Sequence, residues 1–181
     1  MKELIRRIVY RFRGEFTTVQ LQSMGLIVGK NFKRLHGVIL DPSHCWLITI
    51  GDNVTMAPNV HVLCHDASTK YFLDYTKIGR VTIGNNVFIG ASSIILPNVK
   101  IGNNVIIGAN STITKDIPDG IVVAGSPAQK ICTIEEYMDK EKITMKDAPI
   151  FSADYTLLQG ITAKQKKEQK IKLNNRIGYV K

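Results

Sequence analysis

The segment Ile83–Pro118, IGNNVFIGASSIILPNVKIGNNVIIGANSTITKDIP, decides the fold. Isoleucine stands at 83, 89, 95, 101, 107 and 113, every sixth position, and glycine follows it at 84, 90, 102 and 108. A helix repeats every 3.6 residues and a strand every two, so neither alone counts in sixes. Laying 83–100 over 101–118 matches ten of eighteen positions, so the stronger period is eighteen, made of three sixes. A fixed short period marks a solenoid, and a hexapeptide period marks a β-helix. Each unit supplies one short strand and one corner, three corners close a coil, and position n lies under n+18. The isoleucines point inward and stack along the axis, where β-branched side chains suit a pleated wall. Val87, Ser93, Val99, Val105 and Ser111 fill the other small or aliphatic inward position. Glycine after four of the six isoleucines lets the chain turn tightly there. Asn85, Asn86, Asn103 and Asn104 stand where corners need a left-handed or side-chain-bonded backbone.

Upstream, the register reappears at Ile50-Gly51, Met56-Ala57 and Val62, with an earlier, degraded turn at Val28-Gly29. Between Val62 and Ile83 the sixes fail over LCHDASTKYFLDYTKIGRVT, which reads as a loop, about 64–80, thrown out of the prism. The expectation is an all-β solenoid of about five coils over 26–132. A helical segment at 1–25 precedes it, and a helix and extension at 133–181 follow. In the first of these, Leu4, Ile5, Ile8, Val9 and Phe12 make an apolar stripe opposite Arg6, Arg7, Arg11 and Arg13. Such a stripe packs on its own domain or lies on a membrane surface, here through residues 1–13. Thr133 and Glu136 have the spacing of a capping box and predict a short helix over 133–142. Residues 148–162 read as an extension that packs on a neighbour, and 163–181 as a disordered tail or loose helix.

Hydrophobic residues make up 44 % of the chain and aromatics only 7 %, so the core is aliphatic. No apolar run reaches the roughly 20 residues of a membrane span, and the arginines within the first apolar stretch are unlike a signal peptide. The expected location is the cytoplasm. Cys45, Cys64 and Cys132 are odd in number and lack paired zinc-ligand spacing, so they read as reduced, mostly buried residues. The net charge of +9 divides evenly. Residues 1–24 hold five basic and two acidic side chains, 25–132 nine and six, and 133–181 ten and seven. No basic block marks a nucleic-acid surface, and no nucleic-acid partner is expected.

The repeat, followed by STITKDIPDGIVVAGSPAQKI, resembles the hexapeptide acyltransferases, specifically the sugar O-acetyltransferases of the maltose, galactoside and polysaccharide-modifying group. The resemblance covers roughly 26–132. It implies a left-handed parallel β-helix, a homotrimer with active sites between subunits, acetyl-CoA as cosubstrate and no metal. A small-molecule or glycan acceptor, used in bacterial cell-surface polysaccharide synthesis, follows from the same resemblance.

Acyl transfer to a hydroxyl needs a base, and histidine titrates in the right range. The four histidines are His36, His44, His61 and His65. His65 stands where the register breaks, the junction at which the family carries its catalytic histidine. An acidic partner would fix its tautomer. Asp66 is adjacent in sequence, and Asp41 in DPSHCW lies on the preceding coil or across an interface. His44 in the same stretch is a candidate lining of the acceptor pocket. Some family members carry a catalytic asparagine one coil earlier, where this chain has Leu35–His36. A backbone N–H is the expected oxyanion donor. The resemblance places pantetheine along Ala91, Ser92 and Ala109, with Ala91 and Ala109 stacked. It places CoA contacts at Thr114 and Lys115, and phosphate contact at Lys130, one place beyond Gln129 where the motif has its basic residue. Tyr71, with Phe72 and Tyr75, would stack on a sugar ring or anchor the loop. Serine, an amino sugar or an antibiotic are alternative acceptors. Two readings of another class remain. One is a γ-type carbonic anhydrase-like zinc site using His61, Cys64 and His65, and the other is a non-catalytic scaffold.

Overall fold

The structure is a computed structural model, and it describes residues 16–181. The helical reading of 1–15, with its arginine stripe, lies outside the described residues. The helix that is described, Thr18–Ser23, opens on a capping box between Thr17 and Gln20 and buries Leu21. Contacts divide the chain into two units, 1–134 and 135–181.

The first unit is a stack of short strands in three walls. Wall one pairs Ile27–Val28, Ile48–Ile50, Val81–Ile83 and Val99–Ile101. Wall two pairs Lys33–Arg34, Thr55–Met56, Phe88–Ile89, Ile106–Ile107 and Ile121–Ala124, with Gln129–Thr133 at its end. Wall three pairs Ile39–Leu40, His61–Val62, Ile94–Ile95 and Thr112–Ile113. Every pairing within the walls is parallel except the last of wall two, where Gln129–Thr133 reverses and runs antiparallel to Ile121–Ala124. Ile83 lies under Ile101, Ile89 under Ile107 and Ile95 under Ile113, each eighteen residues on. All six of these isoleucines are at most 1 % exposed. Truncating any one to valine costs about 0.5–1.5 kcal/mol.

The corners explain the glycines and asparagines separately. Asn31, Asn53, Asn86 and Asn104 all have φ near +56°, the left-handed region that asparagine tolerates. Their side chains form a ladder, Nδ2 of each donating to Oδ1 of the next at 2.9–3.0 Å. A parallel ladder ties backbone N–H groups to side chains on the coil below, from Lys30 through Asp52, Asn85 and Asn103 to Asp119. Gly84 is needed for a different reason than a turn. A Cβ there would sit 2.7 Å from the backbone C and O of Gly102, so the coils meet backbone to backbone.

The register shifts three times, always between wall three and wall one. Twice residues are inserted, and in the last coil two are lost, since Ile101 bridges to Ile117 and Ile107 pairs with Val123, sixteen residues on. Ile50 pairs with Ile83, thirty-three residues away instead of eighteen, so fifteen residues are extra. They form a hairpin in which His65–Asp66 pairs antiparallel with Lys77–Ile78, with the short helix Lys70–Leu73 at its tip. Val28 pairs with Ile50, twenty-two residues away, so four residues are extra one coil earlier, and a 3-10 turn at Cys45–Leu47 takes them up.

In the second unit, the helix Ile134–Asp147 runs five residues beyond the expected 142, since no glycine or proline interrupts the chain until Pro149. Of the two readings of 163–181, the helical one holds for residues 163–172. They form the helix Ala163–Lys172, started by a capping box of Thr162 and Gln165. Ile150–Phe151 pairs with Tyr179–Val180, and hydrogen bonds of 2.7 Å join Tyr155 to Glu168 and Tyr179 to Glu141. No helix among the described residues is long and apolar enough to cross a membrane.

Candidate active site

Both insertions deliver polar side chains to one corner. The four extra residues carry His44, next to Asp41 at the end of strand Ile39–Leu40, and the fifteen-residue excursion begins at His65. Asp41 is 1 % exposed, and its carboxylate accepts three hydrogen bonds. Oδ1 takes the Ser43 N–H at 3.0 Å. Oδ2 takes the Cys64 N–H at 2.9 Å and Nδ1 of His65 at 2.5 Å. Burial pushes the Asp41 carboxyl pKa up. The Cys64 N–H, the His65 ring and the Ser43 N–H outweigh that push and leave it below the usual range. A carboxylate only accepts, so His65 carries its hydrogen on Nδ1 and presents the Nε2 lone pair. The His65 side chain is 37 % exposed, so a ligand can reach it.

Asp66, the other carboxylate considered as partner, is turned away. It caps the next turn through the Ser68 N–H and pairs with Lys77 at 2.6 Å, and that lysine is the main reason its pKa lies well below the usual range. Adjacent residues in a strand face opposite sides, which is why sequence adjacency misled. His44 does join the cluster. Its ring centroid lies 5.4 Å from that of His65 and 5.4 Å from that of Trp46, a residue the sequence reading passed over. Nothing in the motif pattern signals Trp46, which belongs to the four-residue insertion.

Donor atoms of Asp41, His44 and His65 lie within 4.8 Å of one another. Such a set can hold zinc. Here Oδ2 and Nδ1 lie at hydrogen-bond distance and are committed to each other. The proposed grouping of His61, Cys64 and His65 does not form among the described residues. His61 lies on wall three opposite Ile94, and Cys64 is fully buried with its thiol pKa pushed up to about 12 by that burial.

Thr114, Lys115 and Lys130 are brought together. With Asp116, Pro118 and Gln129 they line a cavity of about 360 Å³. Ala91, Ser92 and Ala109 lie outside it, at the corner between walls two and three. There the Ala91 carbonyl accepts the Asn110 N–H at 2.8 Å, and Ser92 is left-handed with φ 59°. Tyr71, Phe72 and Tyr75 are 97 %, 85 % and 77 % exposed. They therefore do not anchor the hairpin within this chain, and Tyr71 is not part of the histidine cluster. The hairpin is held instead by its strand pair, by the Asp66–Lys77 ion pair and by Thr69 Oγ1 donating to the Tyr75 carbonyl at 2.8 Å.

Residues 80–115 match the model of the bacterial transferase hexapeptide family (six repeats). Protein CapG of Staphylococcus aureus is 42 % identical over 148 residues, covering 77 % of this chain and 83 % of CapG. The chain belongs to the hexapeptide-repeat acyltransferase family. Membership implies the left hand for the coils of this acyltransferase. Two solved structures of the family resemble it. A galactoside acetyltransferase in complex with coenzyme A has a TM-score of 0.55 and 29 % identity, over 74 % of this chain and 80 % of that one. A maltose O-acetyltransferase from Clostridium difficile 630 has a TM-score of 0.54 and 39 % identity, over 60 % and 59 %.

Proposed function

We propose that the acyltransferase moves the acetyl group of acetyl-CoA to a sugar hydroxyl, in the cytoplasm, in the synthesis of a bacterial cell-surface polysaccharide. The observation that carries this reading is the buried Asp41 carboxylate bonded to Nδ1 of a reachable His65. His65 is the general base. Its Nε2 accepts the proton of the acceptor hydroxyl as that oxygen bonds to the acetyl carbon. The same nitrogen returns the proton to sulfur as the C–S bond breaks, leaving a sugar ester and free CoA. Asp41 holds the ring in the required tautomer and balances its charge while the proton is there.

The names of the galactoside and maltose enzymes support a sugar as acceptor. The cavity at Thr114, Lys115 and Lys130 suits the CoA phosphates, since two lysines and a threonine line it against the single carboxylate of Asp116. Ala91, Ser92 and Ala109 offer small side chains along a corner for pantetheine. His65 is not among the residues that line the cavity at Lys115 and Lys130, which supports a homotrimer whose active sites lie between protomers. The strands are read as about five coils, with 64–80 as the excursion that carries the base.

The test is thiol release from acetyl-CoA in the presence of a panel of sugars. Wild type should turn over, and His65→Ala should lose at least about a hundredfold in kcat. Equal turnover by the variant defeats the assignment of the base. Sedimentation should give three protomers, and a fully active monomer defeats the shared site.

A further inference from the structure

His44 has no task in the scheme above, yet it stands beside the base. Its rings and those of His65 and Trp46 form a row, with successive centroids 5.4 Å apart. Nδ1 of His44 is the one buried side-chain nitrogen or oxygen without a hydrogen-bond partner among the described residues. Orphaned buried N–H groups are rarer and more costly than acceptors left partly satisfied. The tautomer that avoids burying an unpartnered N–H carries its hydrogen on Nε2. His65 differs, because Asp41 draws its hydrogen to Nδ1. The two imidazoles, with ring centroids 5.4 Å apart, therefore carry one acceptor and one donor nitrogen on neighbouring rings.

Acyl transfer needs that complementary pair. The attacking hydroxyl gives up a proton and needs an acceptor, while the carbonyl oxygen gathers charge and needs a donor. A sugar hydroxyl that is merely held can use either kind of nitrogen, but an oxyanion can only accept. We propose that His44 is the side-chain oxyanion donor of this enzyme, a role that rests on the acyltransferase reading with His65 as base. As the acceptor oxygen bonds to the acetyl carbon and its proton passes to His65, the carbonyl π pair moves onto oxygen, and that oxygen accepts the His44 Nε2–H. When the pair returns, the C–S bond breaks and His65 delivers its proton to sulfur. His44 keeps its hydrogen throughout. The donor therefore comes from a side chain on the four-residue insertion, in addition to any backbone N–H.

Two measurements test this. Long-range ¹H–¹⁵N spectra of the labelled protein, with His44 assigned by its missing signals in His44→Gln, should show the Nε2–H tautomer. An Nδ1–H tautomer overturns the proposal. Kinetics with acetyl-CoA and the best sugar acceptor should show His44→Ala lowering kcat by about 10²–10³, with both KM values within about threefold of wild type. His44→Gln, which keeps an N–H donor, should recover at least about tenfold of that loss. Circular dichroism checks that both variants are folded. Unchanged kcat in His44→Ala, or a loss confined to KM, overturns the oxyanion role while leaving the acyltransferase reading intact. A wild-type enzyme that acetylates no acceptor defeats that reading, and the oxyanion role with it.

Discussion

Replacing Asp41 by asparagine removes a charge and changes almost no volume, so it isolates what the carboxylate does. Asp41 accepts from Cys64 N–H, Ser43 N–H and the His65 ring. Asparagine offers one oxygen and one NH₂. With the oxygen toward Cys64 and His65, the NH₂ faces the Ser43 N–H. Turned over, it faces two donors and forces His65 to put its hydrogen on Nε2, which abolishes the base. The better orientation strands one N–H, at about 1–3 kcal/mol, and strips charge assistance from two bonds, at about 1 kcal/mol each. The side chain is fully shielded, so solvent relieves little of this, and we expect a loss of roughly 3–5 kcal/mol in stability. The expected fall in kcat is about 10²–10⁴. The sign of the pH dependence follows from the lowered carboxyl pKa. A depressed folded-state value contributes stability that is present above the unfolded value, 3.8, and is lost as pH falls through the folded one. The gap between wild type and Asp41→Asn should therefore narrow in acid. Urea unfolding read by Trp46, the single tryptophan, gives the stabilities, and CoA release gives kcat. Asp66→Asn is the matched control, because its carboxylate meets Lys77 and not the base, and its kcat should stay within about twofold of wild type. Wild-type kcat in Asp41→Asn, or a stability gap undiminished at acid pH, refutes the reasoning.

Asn86→Ala places a Cβ-bearing residue without a local side-chain bond at φ 56° and breaks the ladder on both sides. It should cost about 2 kcal/mol in a denaturant melt, and Asn86→Gly should cost less, whereas equal losses would argue against backbone strain. Gly84→Ala forces a Cβ to 2.7 Å from the Gly102 backbone and should destabilise by about 1–3 kcal/mol, read as a lowered urea midpoint. Cys64, with its thiol pKa pushed up to about 12 by burial, should resist alkylation at pH 8.5 in the native protein, while half-buried Cys132 reacts. Because the unfolded thiol ionises near 9, Cys64 should also make stability fall as pH rises from there toward 12, measurable as a falling urea midpoint and absent in Cys64→Ala.

The walls were legible because their cause is periodic. Six buried isoleucines and four glycines recur at the spacing of the coil. The asparagines were legible as corner residues. The division of labour between Asn85, which bonds backbone, and Asn86, which adopts the left-handed turn, needed coordinates. His65 could be found because a broken period is visible against an intact one. The smaller break, four residues between Leu40 and Ile50, falls in the degraded first coils and is easily taken for noise. It is nevertheless what brings His44 beside His65 and Trp46 beside His44. Asp66 against Asp41 was not decidable from spacing, because the choice depends on which coil lies beneath which. The helix at Ala163–Lys172 was one of two readings of its stretch, left open because its face is polar and its start depends on one capping box.

The reversed strand Gln129–Thr133 has a consequence of its own. A column of parallel rungs ends in a row of unpaired amides and carbonyls, an invitation for another column to dock below and for growth to continue into a filament. Folding the last rung back antiparallel occupies that row at wall two with the chain's own backbone. The outermost strand of that wall then runs against the direction of the coils, so a second column meets no rung in the parallel register at that wall.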